Sequence, residues 1–326
     1  MYNLLNEKLF QVTANNREKF ACSLPEVFAF LSTGETLSFS NLCFHQKQAW
    51  HAFLVQLGAI SLHAAGEHKI PHTPAEWMEL LRNLTRGFAQ DEPWQLVVED
   101  LSKPAFMQSP VPEGNLDGFG GPYYTPDEND ILVTSKNHDV KIRRIRCPQP
   151  DHWIYSLVTL QTMQGYLGLG KGGRNYGISR MNGGYGSRPC VRYTSGLRWT
   201  DLFRRDLSIL LEKRESLLSG YPFFQRQGGL ALLWLEPWDG NESLSVECLD
   251  PFYIEVCRRL RLTVDEDRIV LFNRGSASNR VNAGELKGKT GDPWAPVDRA
   301  KDSVLTVGKN GFEYGLLQKL LFGNDY

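Results

Sequence analysis

The stretch QKQAWHAFLVQLGAISLH, residues 46–63, carries a stripe of apolar side chains at helical spacing. The stripe consists of Trp50, Phe53, Leu54, Leu57, Ile60 and Leu62. Apolar residues that recur every three or four positions lie on one face of an α-helix. Because that face has to be buried, the stretch predicts a long helix packed into a core, around which the other elements are arranged.

Further helices with start signals lie on both sides of this stretch. Ser23 followed by Pro25 predicts a capped helix, and Thr73 with Glu76 predicts a capping box at the start of another. Helical patterns also cover residues 153–167 and 198–218.

Short apolar runs predict strands in the same chain, at residues 131–134, 230–235, 252–257 and 268–272. The runs 230–235 and 252–257 fit short helices equally well. Residues 104–130 contain five prolines and four glycines, and they predict a long irregular connection. Together these elements predict an α+β fold.

Composition excludes several classes of protein. With 41% hydrophobic and 22% charged residues, the chain resembles folded globular proteins rather than disordered ones. No apolar run approaches the ~20 residues needed to cross a bilayer, and the first residues lack the build of a signal peptide, so we expect a cytoplasmic protein without a membrane partner. The six cysteines are scattered with no CxxC pair, which predicts reduced thiols rather than a structural zinc site.

The charge is strongly uneven along the chain, although the net charge is only -1. Residues 136–205 contain thirteen Lys and Arg against three Asp, so this segment carries +10 and the remainder -11. Ten of the thirteen are Arg, whose planar guanidinium matches phosphate oxygens or a guanine edge. Glycines and tyrosines are interleaved with these arginines. The pattern favours a nucleic-acid interface, and a solvated basic surface is the alternative.

Two motifs in the sequence suggest sites for other chemistry. Residues 283–290 fit a relaxed P-loop pattern, but their polar approach and the following GDPWAP do not fit the strand and helix that a P-loop needs. His63, His68 and His72, with Cys43 and His45 upstream, lack the spacing of a metal motif and predict exposed histidines. We therefore expect no catalytic residue, no metal and no cofactor, and a protein that is not an enzyme.

The residue pattern as a whole resembles the large subunit of the type I-E CRISPR Cascade surveillance complex, the CasA family. The matching stretches are 3–12, 23–27, 104–108, 250–259 (DPFYIEVCRR) and 291–297 (GDPWAPV). The resemblance implies a large mixed N-terminal domain spanning residues 1–326, with helices packed around small, mostly antiparallel sheets joined by long loops.

The resemblance also implies a function. Family members are non-catalytic subunits that sense the protospacer-adjacent motif in duplex DNA and support R-loop formation and nuclease recruitment, while base pairing with the guide reads the rest of the target. The implied partners are a guide CRISPR RNA, target double-stranded DNA, the Cascade backbone and small subunits, and a helicase-nuclease or another effector nuclease.

Site residues follow from the resemblance and from charge. The resemblance places motif sensing on Lys289 and on a glycine loop at Asn175, Tyr176, Gly177 and Ile178, with a slip to Gly183 and Gly184 left open. It places a loop that contacts guide RNA and neighbouring subunits at Val133, Thr134, Ser135, Lys136 and Asn137. Charge alone indicates phosphate contacts at Arg143, Arg144, Arg146, Lys171, Arg174 and Arg180.

The sequence departs from the family in two respects. Many members carry two CxxC pairs that are absent here, and members continue into a glutamine wedge and a C-terminal four-helix bundle, which we expect to be absent from this chain. Two other functions stay open: a nucleotide-dependent enzyme that uses residues 283–290, and a scaffold subunit that meets only RNA.

Overall fold

The computed structural model describes residues 1–14, 18–35, 37–130, 145–180, 188, 198–305 and 314–323. Within these ranges it contains six α-helices. They are α1 (Leu24–Thr33), α2 (Lys47–Ala65), α3 (Pro74–Asn83), α4 (Pro150–Met163), α5 (Trp199–Gly220) and α6 (Tyr314–Phe322).

The described strands are short and form several small sheets. Along the chain they are β1 (Phe10–Ala14), β2 (Lys19–Cys22), β3 (Leu37–Phe39), β4 (Gly120–Tyr123), β5 (Gly168–Gly170), β6 (Gly173–Asn175), β7 (Leu230–Leu232), β8 (Leu244–Ser245), β9 (Leu249–Ile254), β10 (Arg259–Asp265), β11 (Arg268–Arg274), β12 (Val281–Asn282), β13 (Val297–Asp298) and β14 (Ser303–Val304). Antiparallel pairing forms the sheets β2-β1-β3 and β10-β11-β4 and the pairs β5-β6 and β13-β14. The pairs β7-β9 and β8-β12 are parallel. The predicted α+β fold with mostly antiparallel sheets is confirmed.

Local sequence signals account for the helix starts. At α1 the Glu26 amide donates to the Ser23 hydroxyl, and the Glu26 carboxylate accepts from the Ser23 amide at 2.7 Å. The same reciprocal box joins Thr73 and Glu76 at α3. Both predicted caps are confirmed, because a capping box depends only on residues three positions apart.

Helix α2 lies at the centre of the molecule and contacts α3, α4, α5 and β9. The sequence predicts one apolar face, but every side chain from Ala49 to Leu62 is buried. The polar side chains between Ala49 and Leu62 are buried with hydrogen-bond partners. His51 Nε2 lies 2.8 Å from a carboxylate oxygen of Asp206, and Gln56 donates to the carbonyl of Phe252 at 3.1 Å. Burial on all sides follows from elements distant in sequence that cover the polar face of α2.

Several predicted boundaries shift in the structure. The helix predicted over 153–167 is α4, which begins at Pro150 and ends at Met163, where Gln164 takes an extended conformation. The run 230–235 divides into β7 and a short 3₁₀ turn. The run 252–257 contributes the end of strand β9, which settles the ambiguity between strand and helix. The strand predicted at 131–134 lies outside the described residues.

Most of the buried apolar side chains of the described residues belong to one connected cluster that runs from Leu4 to Trp294, and Ile178 and Cys257 form a separate small pair. Helix α6 contributes no buried residue to it. Among the helices that the structure describes, none is both long enough and apolar enough to cross a membrane.

Candidate nucleic-acid interface

The hairpin β5-β6 carries two of the predicted phosphate contacts, Lys171 and Arg174, both exposed. Backbone hydrogen bonds to residues 275 and 276 fix its turn and its second strand. The Arg174 and Ser276 backbones exchange hydrogen bonds of 2.8 and 2.9 Å, and the Gly275 amide donates to the Lys171 carbonyl at 2.7 Å. Gly173 has a positive φ of 138°, and a Cβ there would overlap the Ser276 backbone. The hairpin therefore presents basic side chains from an anchored backbone.

The glycine segment, which we define as residues 175–178, follows this hairpin. Gly177 lies against the backbone of Gly165 and Tyr166, so close that a Cβ would lie 2.6 Å from the Gly165 carbonyl carbon. Tyr176 donates its hydroxyl to the Ala277 carbonyl at 3.1 Å, and its ring lies 6.1 Å from that of Tyr166. The structure thus explains the glycine at 177 by backbone packing within the chain.

The residues after the glycine segment enter the protein interior. Ile178 is buried, and the backbone amide of Ser179 donates to both oxygens of the Glu255 carboxylate at 2.9 Å. The Ser179 hydroxyl donates to the same carboxylate at 2.6 Å and lies 2.6 Å from the Tyr253 hydroxyl. Burial raises the pKa of Glu255, and hydrogen bonds from Ser179 and the charges of Arg180 and Arg188 partly offset that rise. Burial also raises the pKa of Tyr253 to about 12.

A buried ion pair holds the next part of this region. Arg188 donates through Nε and Nη2 to both carboxylate oxygens of Asp292. The Arg188 amide also donates to the Met163 carbonyl at 2.9 Å, at the end of α4. Burial alone would raise the pKa of Asp292, but Arg188 lowers it below its ordinary value through its charge and its hydrogen bonds. The same carboxylate accepts from the Trp294 amide at 3.1 Å, which fixes the turn after residue 291.

Lys289 lies in the loop that leads to this ion pair, residues 287–292, which we call the Lys289 loop. Its ammonium donates to Asp302 Oδ1 at 2.6 Å, and its side chain is 26% exposed while that of Asp302 is 69% exposed. The hydrogen bond and the charge of Lys289 lower the pKa of Asp302. The next residue, Thr290, is fully buried beside the Tyr253 hydroxyl. The Lys289 side chain is therefore partly exposed to solvent, while the backbone that follows it at Thr290 is fixed in the protein interior.

The arginine count overstates the positive surface. Arg180 is 2% exposed, its guanidinium lies 4.0 Å from the centre of the Tyr253 ring, and Nη2 donates to the Tyr253 carbonyl at 3.0 Å. The structure therefore places the predicted phosphate contact Arg180 in the core, with its guanidinium against Tyr253 rather than on the surface. Arg188 is likewise buried, and Arg198 pairs with Asp201 at 2.9 Å.

The other predicted contacts divide into two groups. Arg146 is exposed, as a phosphate contact requires. The rest lie outside the described residues: Arg143, Arg144, Val133, Thr134, Ser135, Lys136, Asn137, Gly183 and Gly184. Sequence reasoning missed Ser179, Glu255 and Asp292. Glu255 and Asp292 belong to the stretches 250–259 and 291–297, which carry the family resemblance. An acidic residue among apolar and aromatic neighbours indicates a buried charge that needs a partner, and this pattern could have identified both residues.

The rejected motifs have structural explanations. Residues 283–290 form a 3₁₀ turn at Gly284–Leu286, and Thr290, which would hold magnesium in a P-loop, is buried. No helix follows before residue 305, where this described range ends.

His68 and His72 are exposed as expected, whereas His45 lies 2.7 Å from an Asp130 oxygen. Over the described ranges, no group of three His, Cys, Asp or Glu side chains is arranged to hold a metal.

Comparison with known proteins gives a match at the level of fold. No protein-family model matches the sequence, and no curated protein does. Among solved structures, the crystal structure of CRISPR-associated protein Cse1 from Acidimicrobium ferrooxidans is similar over 88% of this chain, with a TM-score of 0.51 and 15% sequence identity. The match covers 53% of the Cse1 chain, so this chain spans about half the length of that protein. The fold is therefore of the Cse1 type.

Proposed function

We propose that this chain is a non-catalytic subunit of a CRISPR RNA-guided surveillance complex that senses the protospacer-adjacent motif in duplex DNA and supports R-loop formation. Its partners are guide RNA, target DNA, backbone and small subunits, and an effector nuclease. The observation that carries this proposal is the Cse1-type fold, which extends over 88% of the chain.

The chemistry of the candidate interface supports duplex binding. Lys171 and Arg174 extend from an anchored hairpin, and exposed cations on a fixed backbone suit phosphates in a regular helix. Lys289 supplies a donor from a second element, and Asp302 occupies that donor in the free chain. DNA binding at Lys289 exchanges the Asp302 carboxylate for an acceptor on the groove edge. The negative charge of Asp302 repels DNA phosphates. Binding at Lys289 is therefore favourable only where the groove edge supplies an acceptor that replaces the carboxylate, and this favours a specific sequence over unspecific binding.

The alternative of a nucleotide-dependent enzyme has little structural support. The hydroxyl that would bind magnesium is buried, and residues 291–305, the described part of the chain after Thr290, contain no helix whose N-terminus could face the phosphates. The alternative of a scaffold subunit that meets only RNA differs from our proposal in one measurable respect. Such a subunit would show no preference among DNA duplexes that differ only in the base pairs beside the guide-matched target, which we call the flank.

The first test is substitution of Lys289. We expect Lys289→Ala to weaken binding of motif-bearing duplex by about 1–3 kcal/mol while leaving guide-matched single strand unaffected, because one specific donor is lost. Asp302→Asn should strengthen duplex binding, because it releases Lys289 and removes a like charge from the DNA face. Asn tolerates the positive φ of 49° at that position. Electrophoretic mobility shifts of the assembled complex measure all of these affinities.

Lys301 provides the matched control for Lys289. It pairs with Asp298 at 3.2 Å and carries the same charge in the same region. Lys301→Ala should retain motif preference. Equal losses for Lys289→Ala on duplex and single strand, or equal losses for the two lysine variants, would contradict a sensing role for Lys289.

The hairpin should contribute sequence-independent affinity. We expect Lys171→Ala combined with Arg174→Ala to weaken all duplexes alike and to reduce the slope of log K against log salt by about 0.9 for each lost phosphate contact. Titrations at several salt concentrations measure this slope. The control double variant, Lys213→Ala with Arg226→Ala, removes one exposed Lys and one exposed Arg that pair with glutamates. An identical change of slope in the control would contradict the proposal that Lys171 and Arg174 contact DNA phosphates.

A further inference from the structure

The stretches 250–259 and 291–297 contain buried charges that the proposed DNA contacts leave unexplained. Glu255, Arg258 and Asp292 are all at least nine-tenths buried. Buried ion pairs often contribute less stability than apolar side chains of the same volume, because their desolvation is costly. What such groups do provide is a fixed geometry, since each donor and acceptor has to be satisfied in one arrangement.

These charges hold the glycine segment at both ends. After the segment, Glu255 binds the amide and the hydroxyl of Ser179. Before the segment, Arg258 donates to the Gln164 side chain at 2.9 Å and to the Gly165 carbonyl at 3.0 Å. Gly165 is the residue on which Gly177 packs. Residues 255–258 therefore fix the glycine segment directly and through the backbone beneath it.

Arg188 connects the Lys289 loop to the backbone that also holds the glycine segment. Asp292 ends this loop and binds the Arg188 guanidinium, and the Arg188 amide donates to the Met163 carbonyl at 2.9 Å. The next carbonyl, that of Gln164, accepts from the Ile178 amide at 3.1 Å. The glycine segment and the Lys289 loop, more than a hundred residues apart in sequence, are thus both attached to the C-terminal end of α4.

We propose that Ser179, Arg188, Glu255 and Asp292 are positioning residues that fix the glycine segment relative to Lys289 and so set the selectivity for base pairs beside the target. We call these four residues the linking network. This inference rests on the proposed function and deepens it. Groups that read base edges need to be held to within about half an ångström, because a looser site accepts several hydrogen-bonding patterns. Loosening the network broadens the range of accepted flanks without removing a DNA contact.

Arg188→Lys is the principal test. Lysine keeps the charge but cannot form the two parallel hydrogen bonds to Asp292. The control is Arg214→Lys, since Arg214 forms a buried pair of the same kind with Asp250, through contacts of 3.2 and 2.6 Å, between α5 and the start of β9. Ser179→Ala is a milder second variant that removes only the hydroxyl bound to Glu255. It carries the test if Arg188→Lys does not fold.

The probe is a pool of guide-matched duplexes with a randomised flank, bound by the complex reconstituted with each variant. The readout is the ratio of affinities between the best and the worst flanks, together with the melting temperature. We expect Arg188→Lys to reduce that ratio about ten-fold, the scale of one discriminating contact, and Ser179→Ala to reduce it in the same direction. Arg214→Lys should lower the melting temperature comparably and keep the ratio.

The outcomes separate the two proposals. An unchanged ratio in Arg188→Lys and Ser179→Ala, or an equal fall in Arg214→Lys, overturns the linking network as a selectivity device and leaves the proposed function in place. A wild-type complex with no preference among flanks overturns the proposed motif sensing, and the inference with it.

Discussion

Asp292→Ala should destabilise the chain by about 3–5 kcal/mol, because it leaves the Arg188 guanidinium buried without its carboxylate. Both side chains are almost completely buried, so water cannot replace the lost partner. The Trp294 amide loses its acceptor in the same substitution. The shift of the denaturant midpoint, with the slope of the transition checked, measures this loss.

The double variant Arg188→Met with Asp292→Leu distinguishes two causes of the stability loss, the burial of an unpaired charge and the loss of packing contacts. It should be markedly less destabilised than the sum of the two single variants, because neither charge remains to be desolvated. A loss below about 1 kcal/mol for Asp292→Ala alone would mean that the pair is hydrated in solution, and the account of the linking network would fail.

Trp50→Ala should have a loss of stability of similar size, about 3–5 kcal/mol, because a large cavity opens at the centre of the core. The Trp50 ring lies 5.5 Å from Phe10, 5.4 Å from Phe53, 5.1 Å from Tyr155 and 5.8 Å from Phe39. These contacts join α2 to strands β1 and β3 and to helix α4. Thermal or denaturant unfolding measures the change in the free energy of unfolding. Far-ultraviolet circular dichroism is the suitable signal, because it reports backbone structure and does not depend on the fluorescence of Trp50.

Phe44 supplies the control for Trp50. It precedes α2 and its side chain is 86% exposed, so Phe44→Ala should change stability by no more than about 0.5 kcal/mol. A similar loss for the two variants would show that α2 is not the central helix of the folded chain in solution.

Part of the candidate site could be predicted from the sequence and part could not. The basic segment and the glycines were recognisable because residue type and order are enough to indicate phosphate binding or close backbone approach, whereas Lys289 was singled out only by the family resemblance. Charge counting did not reveal that Arg180 faces a tyrosine ring or that Arg188 pairs with Asp292. The pairing of a charge depends on the residue that the fold places beside it, here 73 to 104 positions away.

The sequence by itself determined the helix starts at Ser23 and Thr73, the apolar character of α2 and the α+β class, because these depend on neighbours within one or two turns or on the spacing of apolar residues. Tertiary structure alone decided that α2 is buried on all sides, that Asp302 holds the Lys289 ammonium, and that Glu255 and Asp292 connect two distant segments. Burial and ion pairing depend on long-range contacts, and the free energy of a charge changes with the solvent and partners that those contacts leave to it.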